Sequence, residues 1–351
     1  MEQRQAVSQP DSRPVSSPYT SKSRRASSVA SMTYILERMN HQVTTQRSRI
    51  DGAFAAQLEL LSGGLSGAAT YRVHGLSEPC ILKVIEAESE AYIRARGSRE
   101  ILFYQELAAH LPLHTPRVLA SLIEESGFCA LLLTAHEPLQ PANELGVDVF
   151  AEIATQLAQF HAVYWGRTQE LVKFSWLAKP TPPDLTNDTR HARERWQALA
   201  QRPQFRELLT ESTLQEIEAA LVQLRTVSEY GPDTAMTLCH GDCHLGNLLR
   251  DQEGHLIWAD WQEVRIGHGP SDLSFLIQRA EANGADIAHG DIITAYCNAL
   301  EGAGVKGVDN RAIMSAIKEY ERRTRLLYWP DYMGNATTES MAYHLERIFS
   351  V

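Results

Sequence analysis

Residues 238–275 read LCHGDCHLGNLLRDQEGHLIWADWQEVRIGHGPSDLSF. Asn247 stands five residues after Asp242 of His240-Gly241-Asp242; an apolar run closed by Asp260 follows, and then Asp272. Leu248-Leu249-Arg250 and His255-Leu256-Ile257-Trp258 read as two short strands about the turn Asp251-Gln252-Glu253-Gly254. A hairpin there returns Asp260 to the side of Asn247.

An amide and two carboxylates arranged this way suit metal-assisted phosphoryl transfer, where a protein mainly positions phosphates, Mg²⁺ and the attacking hydroxyl. The order H-G-D-x-x-x-x-N has the spacing of a kinase catalytic loop, with Gly in place of Arg. Asp242 would accept the hydroxyl's proton or hold that hydroxyl in line. Asn247 offers a neutral oxygen to Mg²⁺, and Asp260 a carboxylate to the same hard cation. A solitary aspartate in a polar loop is ordinarily a turn former or cap, so the joint spacing carries the reading. Cys239, His240, Cys243 and His244 also raise a zinc site, but no second ligand pair follows at zinc-finger spacing. His244 reads as a loop-ordering or substrate-side residue.

HGDCHLGNLL followed by WADWQEVRIGHGPSDLSF resembles the signature of the aminoglycoside phosphotransferase and choline kinase-like family. The resemblance implies Asp242 as catalytic base, Asn247 and Asp260 as Mg²⁺ ligands, and Asp272 as a structural aspartate steadying the catalytic loop. Ala259 departs from the aliphatic residue usual before the metal aspartate, a change expected to touch packing and not chemistry. Choline kinases proper usually carry Asn where this chain has Gly241, which inclines the resemblance towards kinases of antibiotics and other small molecules.

Upstream, Cys80-Ile81-Leu82-Lys83-Val84-Ile85 is an apolar strand with one lysine, which must snorkel out or meet an anion. Seventeen residues beyond Lys83 lies Glu100, in the first turn of a helix that Ser98 is positioned to cap. In kinase-like folds the strand lysine holds the α- and β-phosphates and pairs with a helix glutamate. The resemblance over Arg99–Leu107 gives that place to Glu100, with Glu90 and Glu106 as competitors. Before the strand, residues 62–73 form a glycine-containing turn, and Gly64, Ser66 and Gly67 there would let backbone N–H groups approach phosphates. It is neither G-x-G-x-x-G nor a Walker loop, and a plain hairpin turn reads equally well. Strands over 116–122 and 128–134 lead into Ala135-His136-Glu137-Pro138, which resembles a hinge between lobes. Thr134 and His136 would then border the nucleotide base. Ala135-His136 departs from the usual Glu-Asp-Leu, leaving ATP and GTP both open.

Residues 1–32 are rich in Ser, Pro, Gln and Arg and are expected to be a disordered tail. Met32–Leu61 reads as helix. From Val147 the pattern is helical, with His161 a satisfied core histidine on the apolar face. Two helices are expected over Arg190–Tyr230, and more near Ser274–Ala282, Asp291–Glu301 and Asn310–Trp329, with a last one carrying Tyr343 and Leu345. Asp184, Asp188, Glu194, Glu211, Glu216, Glu218, Glu319, Glu321 and Asp331 are candidates for contacts to a cationic acceptor, or simply a solvated surface.

The expected architecture is α+β and two-lobed, of protein-kinase-like type. A small antiparallel β lobe over 33–137 binds nucleotide, and a larger, mainly α-helical lobe over 138–351 carries catalysis and acceptor. Five cysteines at scattered positions argue against a disulfide framework and for a cytoplasmic protein. The net charge of -10 argues against nonspecific nucleic-acid binding. No apolar run approaches the ~20 residues that span a bilayer. The expected partners are ATP or GTP with Mg²⁺ and a small hydroxyl-bearing acceptor, an antibiotic among the possibilities. A metabolite kinase, a Ser/Thr protein kinase of this fold, a nucleotide-binding pseudokinase scaffold and any oligomeric state stay open.

Overall fold

The computed structural model describes residues 57–61, 67–179, 185–224 and 235–349. The expectations for the tail, for residues 32–56 and for Gly64, Ser66 and Asp184 lie outside these residues.

The small lobe is a five-stranded antiparallel sheet of β1 (Gln57–Leu60), β2 (Ala69–His74), β3 (Cys80–Ile85), β4 (Val118–Ile123) and β5 (Cys129–Thr134), in the order β1-β2-β3-β5-β4. β1 corrects the helix expected up to Leu61. Its Gln-Leu-Glu-Leu alternation has period two, and Leu58 pairs opposite Val73 and packs on the sheet core. β5 is buried at every position because both faces are covered. One face packs Val73, Leu82, Ala120 and Leu132, and the other meets α1 (Ala91–Glu106) through Ile85, Ile101, Leu131 and Leu133.

Helix α1 starts seven residues before Ser98, which is therefore no cap; its hydroxyl lies 3.3 Å from Cys129 Sγ. Packing decides this. Gly97, a poor helix former, sits where an added Cβ would fall 2.3 Å from Ile85 Cδ1, so its absent side chain lets the helix lie close on the sheet.

The connection between lobes is β6 (Glu137–Pro138), paired with β8 (Leu248–Arg250), which pairs in turn with β9 (Leu256–Trp258). The segment expected as a hinge is thereby hydrogen-bonded to the hairpin read from the sequence. A second ribbon joins β7 (Met236–Cys239) to β10 (Arg265–His268), a pairing without local signal in the sequence.

The large lobe holds α2 (Val147–Ala162), α3 (Leu185–Ala200), α4 (Glu211–Val222), α5 (Gly269–Ala282), α6 (His289–Gly302), α7 (Asn310–Leu327) and α8 (Thr338–Phe349). Around α2, one core gathers Phe150, Leu157, Phe160, Trp258, Trp261, Leu276 and Tyr296. Another joins α3, α4 and α8 through Trp196, Phe205, Leu221 and Met341. Thr210 and Asp309 cap α4 and α7 by accepting from Thr213 N (3.2 Å) and Arg311 N (2.9 Å). Among the described residues no helix is long and apolar enough to cross a membrane.

Candidate active site

β7 delivers the chain into His240-Gly241-Asp242. Gly241 has φ +86°, and a Cβ there would lie 2.0 Å from the Glu263 carbonyl, so only glycine fits. Under this loop sits Asp272, in the first turn of α5, where a helix favours negative charge. His240 N–H donates to its Oδ2 at 2.6 Å and Gly241 N–H to its Oδ1 at 3.1 Å. His161 Nε2 lies 3.3 Å from Oδ2, and the other ring nitrogen is 2.7 Å from Tyr296 Oη. Burial pushes the Asp272 carboxyl up, but His161, Arg265 and His240 outweigh it and hold it below its ordinary value.

Asp242 follows, with Oδ2 3.3 Å from Asn247 Nδ2 and 3.6 Å from His244 Nε2. Burial again works upward, and His244, His240 and the Asn247 amide together depress its pKa. Asn247 also donates to the Asp242 carbonyl at 2.9 Å, which turns its amide nitrogen inward and its oxygen the other way. The β8–β9 hairpin sets Leu248 opposite Trp258, and Ala259 N–H donates to the Asn247 carbonyl at 2.9 Å. Asp251 shapes the turn by accepting from Glu253 N (2.9 Å) and His255 N (2.8 Å). Asp260 is the next residue beyond Ala259. It has φ 62° and ψ 65°, the one positive-φ non-glycine among the described residues. Such a conformation costs about 1–3 kcal/mol and persists only where the surroundings impose it.

From the small lobe, Lys83 reaches between two carboxylates. Its Nζ donates to Glu100 Oε1 at 2.8 Å and Oε2 at 3.1 Å, and to Asp260 Oδ1 at 3.0 Å. Burial would lower the Lys83 pKa, but the two carboxylates outweigh it and raise it. Glu100 is 1% exposed; burial raises its pKa against the pull of Lys83 and of a hydrogen bond from Gln262. Of the competitors, Glu90 lies at the start of α1 and Glu106 accepts from Trp176 Nε1 at 3.1 Å.

Gly67 has φ +79° and packs under Ile93 of α1. After β5, Thr134 Oγ1 accepts from Arg117 N at 3.0 Å and lies 3.0 Å from His136 Nε2, so these two side chains are engaged with each other. The four residues of the zinc alternative do not form a convergent ligand group among the described residues. Cys239 and Cys243 are buried thiols whose pKa values burial raises well above the ordinary value, and His240 Nε2 lies 3.0 Å from the Ala259 carbonyl.

The candidate acceptor carboxylates behave differently. Glu194 pairs with Arg190 (3.0 Å), Glu218 with Arg193 (2.6 Å), Asp331 with Arg195, and Glu319 with Arg322 (4.0 Å). Glu321 is buried between Arg325 (2.9 Å) and Arg347 (2.8 Å), and Asp188 accepts from Tyr328 Oη at 3.3 Å. Glu211 and Glu216 are exposed on α4. Sequence reasoning missed Arg265, whose Nη1 donates to the Gly241 carbonyl at 3.0 Å, as well as Tyr296 and the stacking of Trp261 on Phe103. Of these only Trp261, adjacent to Asp260, carried any signal.

Two lobes meeting at a lysine–glutamate pair, with a loop-and-hairpin set of Asp, Asn and Asp opposite, define the kinase-like fold of small-molecule phosphotransferases. The model of the phosphotransferase enzyme family matches residues 57–305, and the chain belongs to that family. No curated protein matches the sequence. Among solved structures, the chain is similar to the GDP and kanamycin complex of APH(2″)-IIIa, with a TM-score of 0.56 at 14% identity, covering 91% of this chain and 98% of that one. It is also similar to the macrolide 2′-phosphotransferase MphH of Brachybacterium faecium, with a TM-score of 0.50 at 17% identity over 92% of this chain and 99% of that one. A microcompartment-associated aminopropanol kinase matches with a TM-score of 0.50 at 15% identity, over 90% and 94% respectively. At these identities the likeness is one of fold.

Proposed function

We propose that this chain moves the γ-phosphoryl group of ATP or GTP onto a hydroxyl of a small molecule. The observation that carries the reading is Lys83 held by Glu100 of the small lobe and Asp260 of the large one, with Asp260 in a strained conformation beside Asn247. Lys83 grips the α- and β-phosphates, and Glu100 aims it. The Asn247 amide oxygen and the Asp260 carboxylate form an all-oxygen donor set of the kind Mg²⁺ takes, and these residues would hold it. When bound, Mg²⁺ neutralises charge on the phosphates.

His244, His240 and the Asn247 amide hold the Asp242 carboxyl below its ordinary value. A carboxylate of that kind is a weak base, so its part is to accept the hydroxyl's hydrogen bond, hold the oxygen in line and receive the proton late. Asp272 keeps the loop backbone in place through two N–H bonds. Gly67 and the hinge at Thr134 and His136 are the proposed small-lobe contacts to the nucleotide. Relatives whose structures carry GDP and kanamycin, or whose names specify macrolide and aminopropanol acceptors, support a nucleotide and a hydroxyl-bearing acceptor.

A second reading concerns the acceptor. Most of the described acidic candidates are matched to arginines within the chain, which favours a neutral or weakly charged alcohol over a polycationic antibiotic. The test is nucleoside diphosphate release with Mg²⁺ against aminoglycosides, macrolides, amino alcohols, sugars and a generic protein, for wild type and Asp242→Ala. A stimulated rate that falls roughly 10²–10⁴-fold in the variant, with nucleotide still bound, is expected. Nucleotide binding with no stimulation by any acceptor would instead favour a pseudokinase.

A further inference from the structure

The segment after Asp260 is tied to α1 by three successive residues. Trp261 stacks on Phe103, ring centroids 4.0 Å apart. The Gln262 carbonyl accepts from Arg99 Nη1 at 2.7 Å. The Glu263 carboxylate takes Arg96 on one oxygen and lies 3.8 Å from Arg99 Nη1 on the other. On its opposite side the same segment touches the catalytic loop. The Glu263 carbonyl fills the space a side chain at Gly241 would need, and Arg265 donates to the Gly241 carbonyl. Arg96, Arg99, Glu100 and Phe103 recur on α1 at i, i+3, i+4 and i+7 and so form one stripe of the helix. The rotation of α1 that offers Glu100 to Lys83 therefore also offers the arginines to Glu263.

We propose that Glu263 is a positioning residue: a genetically encoded acidic latch that, gripped by Arg96 and Arg99, holds α1 in the rotation that aims Glu100 at Lys83. In regulated kinases an arriving phosphate supplies the negative charge that arginines then grasp to order the segment after the metal aspartate. Here a carboxylate already stands in that segment, so the active arrangement needs no modification. The inference rests on the phosphoryl-transfer reading for its kinetic consequence and on geometry alone for its structural one. The latch residues are about a third exposed or less, so each single pair adds little stability. Their effect lies in alignment, where a small displacement of a positioned group is felt strongly in rate.

The test is hydrogen exchange of the α1 amides together with turnover for wild type, Glu263→Gln, Glu263→Asp and Arg96→Gln. Glu263→Gln and Arg96→Gln are expected to speed exchange along α1 and lower kcat/KM for nucleotide about tenfold at nearly unchanged Tm. Glu263→Asp, which keeps the charge, is expected to recover part of both. A residue of purely structural importance would move Tm and leave the kinetics of the folded fraction alone. Wild-type exchange and wild-type kcat/KM in either glutamine variant would overturn the latch. If wild type transfers phosphate to no acceptor, the reaction reading fails and exchange alone decides: faster α1 exchange in the variants keeps the latch, and unchanged exchange removes it.

Discussion

Two clusters of buried charge can be compared directly. Between the lobes, Lys83 sits among Glu100 and Asp260. Inside the large lobe, Glu321 accepts from Arg325 Nε (2.9 Å) and from Arg347 Nε (2.8 Å), while Arg325 Nη2 lies 3.6 Å from Glu281. Burial does not separate them, since Glu100 is 1% and Glu321 5% exposed. What separates them is construction. The second cluster joins α5, α7 and α8 of one lobe, whose backbone needs no unusual conformation there. In the first, the partners of Lys83 come from opposite lobes, and one of them, Asp260, is held left-handed with its side chain about a third exposed. Buried charge alone therefore does not distinguish the two clusters; charge joining two lobes on a strained backbone does.

The largest effect that would sharpen this contrast is on Lys83. Lys83→Met is expected to cut turnover of the folded protein about 10³-fold, near 4 kcal/mol on the barrier, beyond whatever stability is lost when buried Glu100 is left without its cation. A variant that merely melts early and keeps its rate would dissolve the distinction. Glu321→Gln should touch stability alone. It leaves two arginines facing a neutral group, so denaturant titration is expected to show a loss of about 3 kcal/mol with kcat of the folded enzyme unchanged.

A smaller effect is the pH dependence of stability through the second cluster. His344 is held neutral: burial, aided by Arg325, lowers its pKa to about 3 against a bond from its ring to the Arg325 carbonyl. Unfolded, the same ring titrates at its ordinary 6.5. Below that pH the unfolded chain takes up a proton the folded chain does not, so this contribution to stability falls progressively from pH 6.5 downward. Melting scans from pH 7 to pH 4 should show a slope that His344→Gln reduces. The smallest effect is expected at the exposed pair of Glu194 and Arg190, where Glu194→Gln should change stability by less than about 0.5 kcal/mol.

The parts of the fold that the sequence discloses are those whose cause is local. A turn of Asp251 to Gly254 between apolar triplets requires a hairpin, and that hairpin sets Asp260 next after Ala259, beside Asn247. A lysine inside an apolar strand requires an anion, and Glu100 and Asp260 both stand within 3.0 Å of it. The misreadings arose where distant contacts decide. Gln57–Leu60 is a strand because β2 is available to pair with it, and α1 runs on through Gly97, whose missing side chain lets the helix lie against Ile85. Arg265 and Tyr296 meet their partners across 24 and 135 residues of chain, with no pattern in either to announce the contact. The acceptor carboxylates were ambiguous for another reason: a glutamate on a helix reads the same whether it faces a ligand or an arginine.

The most direct test of the central claim follows the phosphoryl group itself. Nucleoside triphosphate labelled at the γ-phosphorus would be incubated with Mg²⁺ and an acceptor that stimulates turnover, using wild type and Lys83→Met. Label is expected in a phosphate ester of the acceptor with wild type, and in none with the variant. Label confined to inorganic phosphate, or an ester formed equally well by Lys83→Met, would contradict the account.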